Sequence, residues 1–102
     1  GHAAEMLPKF APSVYEKGLA LARLGLTSDA IGAFDRALEL DGSLADAAFQ
    51  KGRALQGLGR YEEALAAYEQ TLALKPDSAP AWYQKGTVHV ALDQQETAIE
   101  AF

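Results

Sequence analysis

The sequence contains no cysteine. That excludes a disulfide framework, a thiolate zinc site and a cysteine nucleophile. Positive charge is also scarce: nine Lys and Arg stand against 14 Asp and Glu, a formal net charge of −5 at pH 7. A nucleic-acid or anionic-membrane binder would instead present clustered Lys and Arg. The acidic residues are scattered, so no acidic tail is present either. No apolar run approaches the roughly 20 residues of a membrane-spanning helix, and the first residues lack the pattern of a signal peptide. Strand formers are few, while Ala and Leu make up about a third of the chain, a helix-rich composition. The length, 102 residues, is that of one ordinary domain. It is too short for a two-domain enzyme, yet long enough to bury roughly 60–70% of its unfolded surface.

What the sequence does contain is periodicity. Gly18, Gly52 and Gly86 are spaced 34 residues apart, and each follows a Lys, at Lys17, Lys51 and Lys85. Ala30, Ala64 and Ala98 recur at the same interval, as do the aromatics Phe34, Tyr68 and Phe102. Tyr15, Phe49 and Tyr83 form another such set, and Leu24, Leu58 and Leu92 a further one. Each copy carries two stretches with apolar residues at helical spacing. In the second copy, Leu55 and Leu58 mark one helix, and Ala64, Leu65, Tyr68 and Leu72 the next.

This 34-residue period resembles the tetratricopeptide repeat, a helix–turn–helix unit. The third copy reads Trp82…Lys85-Gly86…His89…Ala98…Phe102, and the second Ala48…Lys51-Gly52…Leu55…Ala64…Tyr68…Thr71…Pro76. The first reads Val14…Lys17-Gly18…Leu21…Ala30…Phe34…Ala37, with Gly42 where the family has Pro. The resemblance implies an all-α fold, a right-handed α-solenoid of antiparallel helix–turn–helix repeats.

The spacing predicts helices at about 12–25, 28–41, 45–59, 62–75, 79–92 and 95–102. Gly25 and Gly59 are expected to stop helices in the left-handed conformation, with Asp93 in their place in the third copy. Pro12 and Pro80 suit first turns. Asp41-Gly42-Ser43 and Pro76-Asp77-Ser78 punctuate the junctions and offer N-cap oxygens, and Ser13 and Ser28 read as caps or turn residues. A glycine inside a helix costs about 1 kcal/mol relative to Ala. Its repetition at Gly18, Gly52 and Gly86 points to close helix approach, with Ala30, Ala64 and Ala98 as the expected facing residues.

The frame divides the chain. Residues 1–2 read as a scar of tag removal, and 3–10 as the tail of a preceding repeat. Residues 11–44 and 45–78 are whole repeats, and 79–102 is a truncated one. The chain is thus expected to be a piece of a longer array. No polar capping helix is evident, so a face of Trp82, Val88, Val90, Ala98, Ile99 and Phe102 is expected to be partly open, and self-association through uncapped ends is expected with it.

Catalysis finds little support. The one candidate base, His89, occupies the slot of Leu21 and Leu55 and is expected to pack between helices. No second His or Cys completes a metal site, so no metal or other cofactor is expected. Glu62-Glu63 follows a turn and suits a helix N-terminus.

Binding is the expected function. In this family the first helix of each pair lines a concave face, where partners lie as extended peptides. Those slots place Tyr15, Leu19 and Arg23 from the first copy, Phe49, Gln50 and Arg53 from the second, and Tyr83, Gln84 and Thr87 from the third. Tyr15, Phe49 and Tyr83 are expected to form an aromatic ladder, in the groove or between helices. Arg supplies directed donors beside it.

The resemblance also argues against one partner class, the acidic C-terminal tails of Hsp70 and Hsp90. Relatives that hold them need Lys and Asn on the first inner helix, Asn on the second and two basic residues on the third. Here those slots hold Tyr15, Leu19, Gln50, Pro80 and Gln84. Sliding by one repeat gives Phe49, Arg53 and Gln84, without the paired donors a carboxylate terminus requires. The resulting expectation is a protein-interaction scaffold module with a protein or peptide partner, neither nucleic acid nor membrane. The alternatives are a homo-oligomerisation module or the substrate-recruiting arm of a larger enzyme.

Overall fold

The computed structural model describes the backbone of residues 2–100 and the side chains of 11–94. Five helices follow one another: α1 (His2–Arg23), α2 (Thr27–Leu40), α3 (Ala45–Gly57), α4 (Tyr61–Leu74) and α5 (Ala79–Glu100). Helix α1 packs on α2 and α3 on α4, each pair joined by a three-residue turn. The pairs are then stacked by α2 against α3 and α4 against α5. The result is an all-α solenoid, elongated to 57 × 30 × 20 Å. Its radius of gyration, 15.1 Å, exceeds the roughly 13 Å of a compact domain of this length.

The two intra-repeat turns are set by glycine. Gly25 has φ +81° and Gly59 φ +78°, a region that costs other residues roughly 1–2 kcal/mol. At the first turn the Leu26 N–H donates to the Leu21 carbonyl (2.9 Å) and the Gly25 N–H to Ala22 (3.1 Å). At the second, Arg60 donates to Leu55 (2.9 Å) and Gly59 to Gln56 (3.0 Å). These paired bonds satisfy carbonyls that a helix end otherwise leaves open.

The third expected turn is absent, and this corrects the sequence expectation. Helix α5 runs without a break from Ala79 to Glu100, through Asp93. No residue other than glycine takes a positive φ among the described residues. With Asp93 in the glycine slot the left-handed stop is unfavourable, and continuing the helix keeps every backbone bond. A second correction concerns Pro12, which lies well inside α1 rather than in a first turn. An interior proline forfeits one helix hydrogen bond, at roughly 3 kcal/mol. The packing of α1 along α2 offsets that loss. Residues 3–10 belong to the same helix, and their side chains lie outside the described residues.

The glycine spacing does mark close approach, but not to alanine. A Cβ built on Gly18 would lie 2.6 Å from Phe34 Cε1, and one on Gly52 2.6 Å from Tyr68 Cε1. Each glycine is therefore a notch for the aromatic ring 16 residues on. Ala30 and Ala64 are fully buried but are not the facing atoms. A Cβ built on Gly86 would meet no atom of another described element within 4 Å. The third copy's Ala98, Ile99 and Phe102 lie outside the residues whose side chains are described.

The Lys preceding Gly52 and Gly86 also finds a reason. Lys51 Nζ lies 2.6 Å from Asp35 Oδ1, and Lys85 Nζ 3.8 Å from Glu69 Oε1. Both acids sit on the second helix of the preceding repeat, so the pairs span the stacking junction. As partly exposed pairs they contribute on the order of 0–1 kcal/mol each.

Only part of the capping expectation holds. Ser78 Oγ accepts from the Ala81 N–H at 3.4 Å. Ser43 does not cap α3. Instead Asp41 Oδ1 accepts from both the Ser43 N–H (3.0 Å) and the Ser43 hydroxyl (2.6 Å), which holds the Asp41 carboxyl below its ordinary range. Ser13 stands inside α1 and Ser28 inside the first turn of α2, and α2 has no side-chain cap.

Candidate functional site

Helices α1 and α3 touch, and so do α3 and α5, whereas α2 and α4 do not. The first helices of the repeats therefore form the inside of the curve. Two clefts lie along this concave face. One, of about 580 Å³, separates α1 from α3; the other, of about 430 Å³, separates α3 from α5. Arg53 and Gly57 line both, so the clefts adjoin along α3.

Most of the residues expected at the site meet there. Tyr15, Leu19, Arg23, Gln50 and Arg53 line the first cleft, and Arg53, Gln84 and Thr87 the second. Leu19 and Gln50 are half-buried, while Arg23, Arg53 and Thr87 are exposed. Thr87 Oγ1 donates to the Tyr83 carbonyl at 3.1 Å, which leaves its oxygen free to accept.

Phe49 and Tyr83 line neither cleft, so the aromatic ladder is not one continuous surface. Phe49 packs on Tyr68, ring centroids 5.8 Å apart, and Tyr15 packs on Phe34 at the same distance. Tyr15 thus does both things expected of the ladder, and Phe49 serves packing. Tyr83 is 72% exposed. Burial pushes the Tyr15 phenol pKa up, with Asp46 and Glu16 adding to the rise and a hydrogen bond to Gln50 opposing it.

Sequence reasoning missed Phe34 and Ala54 as lining residues, and also Thr27 and Tyr61. The latter two open α2 and α4 and stand one repeat apart, so the start of each second helix forms the groove rim. That shared slot was the available signal.

Below the groove lies Tyr68, fully buried. Its hydroxyl donates to Gln56 Oε1 at 2.7 Å. Burial pushes its pKa up to about 12, slightly opposed by Arg53. Thr71, also buried, donates to the Ala67 carbonyl at 2.9 Å.

His89 is exposed, contrary to expectation. Its slot-mate Leu55 is buried under α4, but α5 does not double back, so no described helix covers His89. The buried residue of this turn is Val88, which corrects its expected place on the open face. Trp82 (54%) and Val90 (57%) are exposed there as expected. Trp82 Nε1 donates to the Pro76 carbonyl at 2.9 Å, and Lys85 Nζ sits 5.3 Å from its ring centroid. Among the described residues no group of three His, Cys, Asp or Glu is placed to hold a metal ion. No helix there is long and apolar enough to cross a membrane.

A sequence model of the tetratricopeptide repeat family matches residues 3–45, 15–55 and 49–102. No curated protein sequence matches the chain. Among solved structures, a crystal structure of MamA superposes with a TM-score of 0.81 at 28% identity, over 96% of this chain and 61% of that one. MamA 41-end from Desulfovibrio magneticus RS-1 shares 34% identity, with a TM-score of 0.76 over 89% of this chain and 51% of that one. The first TPR of Spaghetti (RPAP3), bound to the HSP90 peptide SRMEEVD, gives 0.79 at 26% identity, over 81% and 66%. The chain spans less than two thirds of each of these three.

Proposed function

The chain belongs to the tetratricopeptide repeat family, and from that premise we propose that its concave face holds a partner protein as an extended peptide. The family is in general a non-catalytic interaction fold. The observation that carries the reading is the pair of clefts along α1, α3 and α5 that adjoin at Arg53 and Gly57. Leu19, Ala54 and the Tyr15 ring offer apolar contact there, and Gln84, Thr87 and Arg53 offer polar groups to a peptide backbone. The Spaghetti domain is a precedent for a peptide on this fold. The occupant proposed here is not an Hsp70 or Hsp90 tail, because Tyr15, Leu19, Gln50, Pro80 and Gln84 stand where such a tail needs Lys, Asn and basic residues.

Gly57 provides the test. It lines both clefts, it is exposed, and a Cβ there meets nothing within 4 Å. Gly57→Trp therefore adds a bulky side chain to the groove from a position where its Cβ meets no obstacle. Peptides selected from a displayed random library on the parent chain are expected to bind Gly57→Trp at least about a hundredfold more weakly in calorimetry, with thermal stability retained. Undiminished binding to Gly57→Trp would place the partner on another face.

A further inference from the structure

We propose that the groove selects an acidic segment, with an Asp or Glu side chain of the partner held between Arg23 and Arg53. This deepens the groove reading and rests on it. The chain as a whole is acidic, with 14 acidic against nine basic side chains. The two clefts reverse that balance: the charged side chains lining them are Arg23 and Arg53, with no carboxylate. Neither guanidinium belongs to an ion pair among the described residues. Lys51, Arg60, Lys75 and Lys85 are paired, with Asp35, Glu63, Asp46 and Glu69, while Lys17 and Arg36 outside the two clefts have no ion pair among the described residues either. What sets the groove arginines apart is that no carboxylate shares the lining of their clefts.

The groove is also polarised along its length. Beside the burial that raises the Tyr15 pKa, Asp46 in the first turn of α3 and Glu16, two turns before Arg23 on α1, add to the rise. Arg23 closes α1, and Arg53 stands two turns beyond Asp46 on α3. An acidic partner residue is therefore repelled at the Tyr15 end and drawn to the Arg23–Arg53 end, which fixes the register of the segment. Arginine suits this task because its planar fork donates two parallel bonds to a carboxylate. Gln84 and Thr87, further along, are free to hold the neutral backbone that follows. Two arginines on a chain of net charge −5 suit one or two carboxylates rather than a polyphosphate strand.

The experiment is to pan a random library of roughly ten-residue peptides, long enough to cross three helices at about 3.3 Å per residue. The recovered peptides are then measured by calorimetry against their Asp→Asn and Glu→Gln counterparts. The expected result is enrichment of Asp and Glu, with about a tenfold loss for the neutral counterpart and weaker binding as salt rises. Arg23→Ala and Arg53→Ala, both at exposed positions, are each expected to lose about tenfold and to erase the preference for the acidic form. Recovered peptides that are neutral or basic, yet blocked by Gly57→Trp, would overturn the acidic preference and leave the groove reading intact. Peptides indifferent to Gly57→Trp, or no enrichment over a blank surface, would overturn both. Displacement of a bound acidic peptide by a single-stranded oligonucleotide would also overturn it, in favour of phosphate recognition.

Discussion

Gly52→Ala is expected to destabilise the chain by about 2 kcal/mol, although alanine is the better helix former. Alanine in place of glycine inside a helix ordinarily stabilises by about 1 kcal/mol. At Gly52 the added Cβ would meet Tyr68 Cε1 at 2.6 Å, Cδ1 at 2.8 Å and Cζ at 2.9 Å. The ring cannot yield cheaply, because it is fully buried and wedged against Phe49. Overpacking of this kind costs up to about 3 kcal/mol, which exceeds the helical gain. Gly32 supplies the control. It lies inside α2, is exposed, and a Cβ there meets nothing within 4 Å. Gly32→Ala is expected to stabilise by about 1 kcal/mol. Urea denaturation of both variants checks the pair. Equal shifts in the same direction would show that the notch is not tight.

Tyr68→Ala is expected to have the larger effect, a loss of about 3–5 kcal/mol, as for other large buried aromatics. It empties the ring from the Gly52 notch and removes the bond to Gln56. In the background of Tyr68→Ala, Gly52→Ala is expected to cost nothing, since the clashing atoms are gone. That non-additivity distinguishes a steric notch from a general helix effect. Tyr68→Phe keeps the ring and is expected to lose about 1 kcal/mol. It also changes the alkaline limb of stability. The folded chain holds the Tyr68 proton up to about pH 12, whereas the unfolded chain releases it near pH 10.0. Stabilisation from the neutral phenol is therefore complete below pH 10 and is lost as pH rises towards 12. Tyr68→Phe is expected to flatten that decline, leaving the smaller part due to Tyr15. An unchanged alkaline limb would contradict the buried phenol as its source.

How much of this was legible in the residues depends on what each signal encodes. Gly25 and Gly59 announce their turns because a left-handed φ is a property of the residue itself. The notches at Gly18 and Gly52 announce close approach for a different reason, the repeated absence of a Cβ inside a helix, where glycine is otherwise costly. The partner, however, is set by how the hairpin closes, which brings up the aromatic 16 residues on instead of Ala30 or Ala64. His89 is exposed against expectation because a repeat slot of this kind is buried only if a second helix covers it, whereas Val88 is buried because it packs into the cluster of Leu55, Ala64, Ala67 and Tyr68 from the preceding repeat. Asp93 permits the helix to run on, and with that the environment of the slot changes. Pro12 was read as a helix start from its ring geometry, while packing along α2 carries the helix through it. At the groove, Arg23, Arg53, Gln84 and Thr87 were legible because inner-helix positions follow from the repeat frame. Thr27 and Tyr61 were not, because they belong to the outer helices and reach the rim only through the turn geometry.

The central claim is that the concave face, not the outer one, receives the partner. Mapping backbone amide shifts on titration with a panned peptide tests it most directly. The predicted result is a set of perturbations along α1, α3 and α5 centred on Leu19, Arg53, Gly57 and Thr87, with Arg36 on α2 and Glu69 on α4 unmoved. Shifts concentrated on α2 and α4 instead, with the amides of Arg53 and Gly57 unchanged, would contradict it.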